Sequence, residues 1–289
     1  LLGNKLSKML DENLTIFDDS KPVIDISQKN AKTVHLYKCT FSKLCISPCT
    51  KNLHINLNPT LLELDLSKVC IFSLVLSNLS SLRKIHLNKR QIFDLIVEDC
   101  PKLKEIPKAL TLQNLTITEC PQIKFIHEYP ILQSLKLKNT GIKIIPNMAF
   151  LKILHLTNIP LRSLPKIKNL IELKCNCLDI GLIFSYEKLL ILEIENCRNI
   201  KHIPYIPSLR KIMLFNISKL KSINSQCNFT HILCSYCPIK KISSYANLSS
   251  LVLNNCNYLE KIDDQKNTQK IFLYECPKLT LIEKCSPNI

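Results

Sequence analysis

The chain has 289 residues, 46% apolar and 21% charged, with a mean hydropathy of +0.08, so it can bury a core and is not a disordered polar chain. Its three glycines, Gly3, Gly141 and Gly181, lie far apart, which excludes a P-loop and a GxGxxG dinucleotide turn, and no apolar run reaches the roughly 18 uncharged residues of a membrane-spanning helix. The net charge of +16 admits nucleic acid or an anionic membrane surface as a partner, although the basic residues are scattered and solvated lysine accounts for them equally.

Residues 1–13 hold no long apolar stretch and are expected to form an N-terminal segment or partial cap, with no signal peptide. From Leu14 onward one unit repeats: L-x-x-L-x-L/I-x-x-C/N/T, an apolar residue, two variable positions, then Ile or Leu. The residue that opens each L-x-L pair serves as a marker. It recurs at Leu14, Val34, Leu53, Leu74, Leu95, Leu115, Leu135, Leu154, Leu173, Leu192, Ile212, Ile232, Leu251 and Ile271, which makes fourteen units. The nine steps from Leu95 to Ile271 average about 19.6 residues. In the first third, Leu44, Leu64 and Ile85 open equally good pairs halfway between markers. Either the return side is also a strand, or the phase slips by half a coil near residues 82–95. Ile106, Ile126, Ile203 and Ile223 all sit eleven residues past their markers, which favours two-sided coils.

A period-two pair sends both apolar residues inward and the middle one outward. Twenty residues are too few for a strand and a full helix, so the return is extended, 3-10 or turn. Such a unit cannot stand alone. Fixing about 20 residues costs roughly 20–40 kcal/mol of backbone entropy, whereas about six buried side chains return roughly 1.5–3 kcal/mol each. Neighbouring coils must stack and share strand hydrogen bonds and a core. The expected organisation is a solenoid of about fourteen coils over residues 14–282 and a tail at 283–289, with short parallel strands, extended or 3-10 returns and little α-helix.

This pattern resembles the leucine-rich repeat family in its short form, here with 19–21 residues between markers, and the resemblance covers about residues 14–282. The C-P-x-L-x-x-I-P variant, Cys100-Pro101-Lys102-Leu103-Lys104-Glu105-Ile106-Pro107, is similar to repeats of plant disease-resistance receptors and some bacterial effectors. Two departures matter. The ladder position, where the family usually keeps Asn, is Cys in seven of the fourteen units here, and no cysteine-rich flanking caps are visible. The resemblance implies an α/β-type leucine-rich-repeat solenoid that binds a partner protein without catalysis. Similar repeats also serve as substrate receptors in ubiquitin ligases, a reading that needs a further domain, for which residues 1–13 are too short.

Cys39, Cys100, Cys120, Cys197, Cys237, Cys256 and Cys276 all lie five residues after a marker, at the inward ladder position, where a weak S–H donor can meet turn carbonyls. Cys175 and Cys234 occupy the inward second site of an L-x-L pair. An odd total of fifteen cysteines excludes a fully paired framework within one chain and points to reduced thiols and an intracellular compartment. Cys45/Cys49, Cys175/Cys177 and Cys234/Cys237 are close enough in sequence to raise the question of zinc, but two of these three pairs include an inward core position and no His pair lies at ligand spacing. His35, His54 and His155 are outward middle residues, with His35 and His54 on adjacent coils. No Ser/His/Asp or Cys/His set shares a consistent phase, and Glu193 and Glu195 sit on one exposed strand without a cleft, so no catalytic residue, metal or cofactor is expected.

A partner is expected on the concave face, which displays the middle residues of the strands. Read in register from Thr116, that row gives Lys136, His155, Lys174, Glu193, Met213, Leu233, Val252 and Phe272. Two residues further, the row from Thr118 gives Lys138, Thr157, Asn176, Glu195, Phe215, Ser235, Asn254 and Tyr274. The central coils are polar: Lys136, Lys138, His155, Lys174, Glu193 and Glu195. The last four carry a contiguous apolar stripe of Met213, Phe215, Leu233, Val252, Phe272 and Tyr274, expected to dock a partner protein or to lie under a terminal segment. Abundant Ile, Asn and Lys fit an AT-rich genome, and hence a monomeric host-interaction factor of a virus or intracellular parasite. The alternative is a basic surface for nucleic acid or anionic lipid.

Overall fold

A computed structural model describes residues 12–283. The sequence-expected N-terminal segment and C-terminal tail therefore fall almost wholly outside the described residues, as does Cys285. The chain divides into two compact units, Leu1–Ile142 and Lys143–Ile289.

In the first unit seven parallel strands lie side by side: β1 (Asn13–Phe17), β3 (Thr33–Tyr37), β5 (Asn52–Asn56), β7 (Ser73–Ser77), β9 (Asp94–Glu98), β10 (Asn114–Cys120) and β11 (Ser134–Thr140). Their register pairs Leu14, Val34, Leu53, Leu74, Leu95, Leu115 and Leu135 in one row. On the return side β2 (Val23–Ile26) pairs with β4 (Lys43–Ile46), and β6 (Glu63–Leu66) pairs with β8 (Lys84–Leu87). Leu44, Leu64 and Ile85 thus open true second strands, and the half-coil slip does not occur. Ile106 and Ile126 are buried on the same side without strand pairing.

The second unit repeats the arrangement with β12 (Ile153–Thr157), β13 (Glu172–Asn176), β14 (Ile191–Glu195), β16 (Lys211–Phe215), β18 (His231–Ser235), β20 (Ser250–Asn254) and β22 (Lys270–Tyr274). Leu154, Leu173, Leu192, Ile212, Ile232, Leu251 and Ile271 form its marker row. Two-residue return strands pair as β15 (His202–Ile203) with β17 (Ser222–Ile223), and as β19 (Lys241–Ile242), β21 (Lys261–Ile262) and β23 (Leu281–Ile282). Fourteen main strands give a β-solenoid of fourteen coils. Among the described residues there is no helix, and the returns are extended segments and turns.

Each coil turns by the same device. The fourth residue past every marker has positive φ, between 48° and 59°, and none of these fourteen residues is glycine. Eight are Asn or Asp, whose short polar side chains tolerate the left-handed region best. The N–H of this residue extends the strand ladder by one bond, as Asn196 N–H does to the Phe215 carbonyl at 3.0 Å and Asp99 N–H to Thr118 at 3.0 Å. The backbone then swings the next residue inward. In seven of the fourteen coils that residue is the ladder cysteine. Cys39, Cys100, Cys120, Cys197, Cys237 and Cys256 are all buried, and Cys276 in the last described coil is half-buried. Their thiols donate to carbonyls within the coil and across to the preceding one: Cys197 Sγ reaches Glu195 O at 3.3 Å and Cys175 O at 3.7 Å, and Cys256 Sγ reaches Cys234 O at 3.5 Å. A thiol thus adds a second, weaker donor to carbonyls that already accept a ladder N–H, as Glu195 O accepts from Cys177 N–H at 3.0 Å.

Candidate interaction face

Alternation along each main strand leaves the middle residue and its two flanks pointing away from the core, so the strand face is a grid three residues wide. In the second unit the middle row runs His155, Lys174, Glu193, Met213, Leu233, Val252 and Phe272, one residue per strand in direct register. The row on the C-terminal flank runs Thr157, Asn176, Glu195, Phe215, Ser235, Asn254 and Tyr274.

The polar end of this grid is satisfied internally. The Glu172 carboxylate takes the His155 imidazole at 2.9 Å and the Lys174 ammonium at 3.5 Å, and Lys174 reaches Glu193 at 3.2 Å. Burial opposes the Lys174 charge, but Glu193 and Glu172 outweigh it and hold its pKa above the ordinary lysine value. Glu195 accepts hydrogen bonds from Asn176 at 2.7 Å and Asn196 at 3.2 Å. These groups partner one another through hydrogen bonds, yet the carboxylates outnumber the one lysine and leave this end acidic.

The other end differs. Met213, Phe215, Leu233 and Val252 are half-buried on the outer face, and Phe272 and Tyr274 remain 44% and 54% exposed. The structure therefore brings together all six residues of the apolar stripe on four adjacent strands. It also shows a flank that sequence reasoning missed. One residue before the four markers stand Lys211, His231, Ser250 and Lys270, and the three basic residues are exposed beside the stripe. The signal was present in the same register, one position earlier. Among the described residues neither Lys211 nor Lys270 has an acidic partner, whereas the Arg210 guanidinium donates to the carbonyls of Pro207, Leu209 and Asn228.

In the first unit the corresponding middle row is Thr15, His35, His54, Val75, Ile96, Thr116 and Lys136. His35 and His54 meet edge to face with ring centroids 4.5 Å apart, and burial, then the neighbouring His35, pull the His54 pKa below its ordinary value. Phe17 stacks on Tyr37 at 5.2 Å. Lys138 lies 3.6 Å from Glu119, and Lys136 is exposed on the same strand, β11.

The remaining candidates for chemistry are dispersed. Cys177 is exposed while Cys175 is buried, so that close pair does not converge, and among the described residues no group of three His, Cys, Asp or Glu is placed to hold a metal ion. Hydrogen bonding to Cys120 and burial hold the Cys100 thiol protonated, and burial lifts Cys197 to about 11. Among the described residues no helix is long and apolar enough to cross a membrane. No protein-family model matches the chain, and no curated protein does.

Proposed function

We propose that the chain is a non-enzymatic protein-binding module of the leucine-rich-repeat type that docks its partner on the strand face of β16, β18, β20 and β22. The repeat length, the L-x-L rows and a ladder residue that bonds the preceding coil support the family reading. The burial of nine of the fourteen described cysteines at inward positions supports reduced, structural thiols, and the intracellular setting and host-interaction role rest on composition alone.

The observation that carries the reading is the stripe of Met213, Phe215, Leu233, Val252, Phe272 and Tyr274. Isolated exposed apolar residues are ordinary, but six in adjacent register positions form a patch of the kind that marks interfaces. Replacing Phe215 and Phe272 by Ser should abolish partner capture from lysate and leave the circular dichroism unchanged. Capture of the same proteins by the double variant overturns the reading.

A second reading has one observation behind it. A depression of about 340 Å³ on the return side of the first unit is lined by Lys84, Lys89, Lys108 and His86 with Glu105 as its only acid. Nucleic acid or anionic lipid held there would show a steep loss of affinity between about 50 and about 200 mM salt, whereas docking on the apolar stripe would not.

A further inference from the structure

The docking face has a chemical polarity across its width. On one side of the apolar stripe stand Lys211, His231 and Lys270, and the two lysines lack acidic partners among the described residues. On the other side the row is neutral, with Ser235 and Asn254 between Phe215 and Tyr274. At the β14 end the stripe meets Glu193 and Glu195, which pair in register with Met213 and Phe215. Those two carboxylates are already engaged by Lys174, Asn176 and Asn196.

We propose that this face takes an amphipathic peptide segment of a partner protein, with a row of apolar side chains on the stripe and Asp or Glu along the flank that meets Lys211 and Lys270. The inference rests on the stripe being the docking face and adds the chemistry of its occupant. Three intervals of about 4.8 Å separate β16 from β22, so the stripe spans about 14 Å, the length of roughly nine helical residues. An amphipathic helix presents apolar residues at i, i+3, i+4 and i+7 over that length. On the rest of the second unit's grid the one lysine, Lys174, is met by carboxylate. Lys211 and Lys270 are unmet beside an uncovered apolar row, and a partner carboxylate supplies the missing charge while its apolar side chains cover the row. The acidic end at Glu193 and Glu195 disfavours further partner carboxylates there and sets the orientation. The central positions Leu233 and Val252 offer a base no ring to stack on, so a nucleic acid strand would find stacking partners only at the two ends of the stripe, at Phe215 and at Phe272 with Tyr274.

The test is selection of a displayed library of random peptides of about twelve residues, long enough for three helical turns, against the full chain. The expected winners combine apolar anchors with Asp or Glu. Their affinity should fall about tenfold in Lys211→Glu/Lys270→Glu, and that variant should itself select peptides carrying Lys or Arg. Apolar winners without acidic enrichment overturn this inference and leave the docking face standing. Winners that bind Phe215→Ser/Phe272→Ser undiminished overturn the docking face itself. An empty selection overturns both, and sedimentation of the chain then shows whether a second copy covers the stripe.

Discussion

Two glycines make a paired test of how tightly the coils stack, because the same substitution should act with opposite sign. A Cβ built on Gly141 would lie 2.7 Å from the Pro121 carbonyl oxygen, 3.2 Å from that of Ile123 and 3.3 Å from Lys124 Cγ. The first two atoms are backbone of the preceding coil and cannot rotate aside. Relieving the contact means shifting a turn held by neighbouring strand bonds, an overpacking strain of about 1–3 kcal/mol. Alanine also restricts the unfolded chain, which offsets about 0.4–1 kcal/mol, so Gly141→Ala should lose about 1–2 kcal/mol net. At Gly181 the nearest atom to a new Cβ is the Asn199 carbonyl oxygen at 3.7 Å, an ordinary contact, and no positive φ is required. Only the unfolded-state term remains, and Gly181→Ala should gain about 0.4–1 kcal/mol. Urea unfolding followed by circular dichroism reads both as shifts of the midpoint. A Gly141→Ala chain as stable as the original, or equal losses at the two sites, would refute the close-stacking argument.

Three other outcomes follow from local chemistry. Leu57 sits at φ 59° with its side chain 43% exposed, so Leu57→Asn should stabilise by about 0.5–1 kcal/mol, and a lowered urea midpoint contradicts the turn account. Burial raises the Cys197 thiol from 9.0 to about 11; above pH 9 the unfolded chain binds fewer protons than the folded one, so stability present below pH 9 should fall by about 2–3 kcal/mol by pH 11. Cys197→Ala should remove that part of the slope in alkaline unfolding curves, and an unchanged slope rejects the assignment. His54 is shifted the other way from an ordinary 6.5, so the unfolded chain takes up its proton first and stability falls as pH drops below 6.5. His54→Gln should flatten the unfolding midpoint between about pH 5 and about pH 7, and a midpoint that still falls as steeply assigns the acid sensitivity elsewhere.

The inward half of the molecule was legible because its signal is periodic and repeated. The seven markers of each unit pair in register, and the seven ladder cysteines could be placed by counting five residues onward. The return side was less legible because its strands are short and not continuous. Leu64 and Ile85 stand second in four-residue strands, Ile203 and Ile223 close two-residue ones, and Ile106 carries the same spacing and burial with no pairing at all. Burial and strand pairing are separate demands there, and sequence pattern reports the first. The turns hid a different fact. Positive φ is usually sought at glycine, and this chain meets it with Lys38, Glu119, Cys177 and Tyr236 as well as Asn and Asp, so the fourth position past the marker carries no single residue signature. The basic flank at Lys211 and Lys270 went unread because only the middle and C-terminal rows were followed.

The seven middle positions of the second unit are structurally equivalent, since each pairs one to one with its neighbours on adjacent strands. Folding therefore asks the same of all of them, and Lys174 meets the requirement as well as Leu233 does. A change from His, Lys and Glu to Met, Leu, Val and Phe along one row is not demanded by coil formation, which is the ground for assigning it to a partner. The argument has a direct consequence. If the stripe serves docking alone, Phe215→Ser/Phe272→Ser should alter unfolding stability by no more than about 0.5 kcal/mol per site, the usual range for surface positions. A loss of about 2 kcal/mol or more would mean that the two rings pack for the fold, as buried aromatic side chains do, and the docking assignment would lose its basis whatever the capture experiment returned.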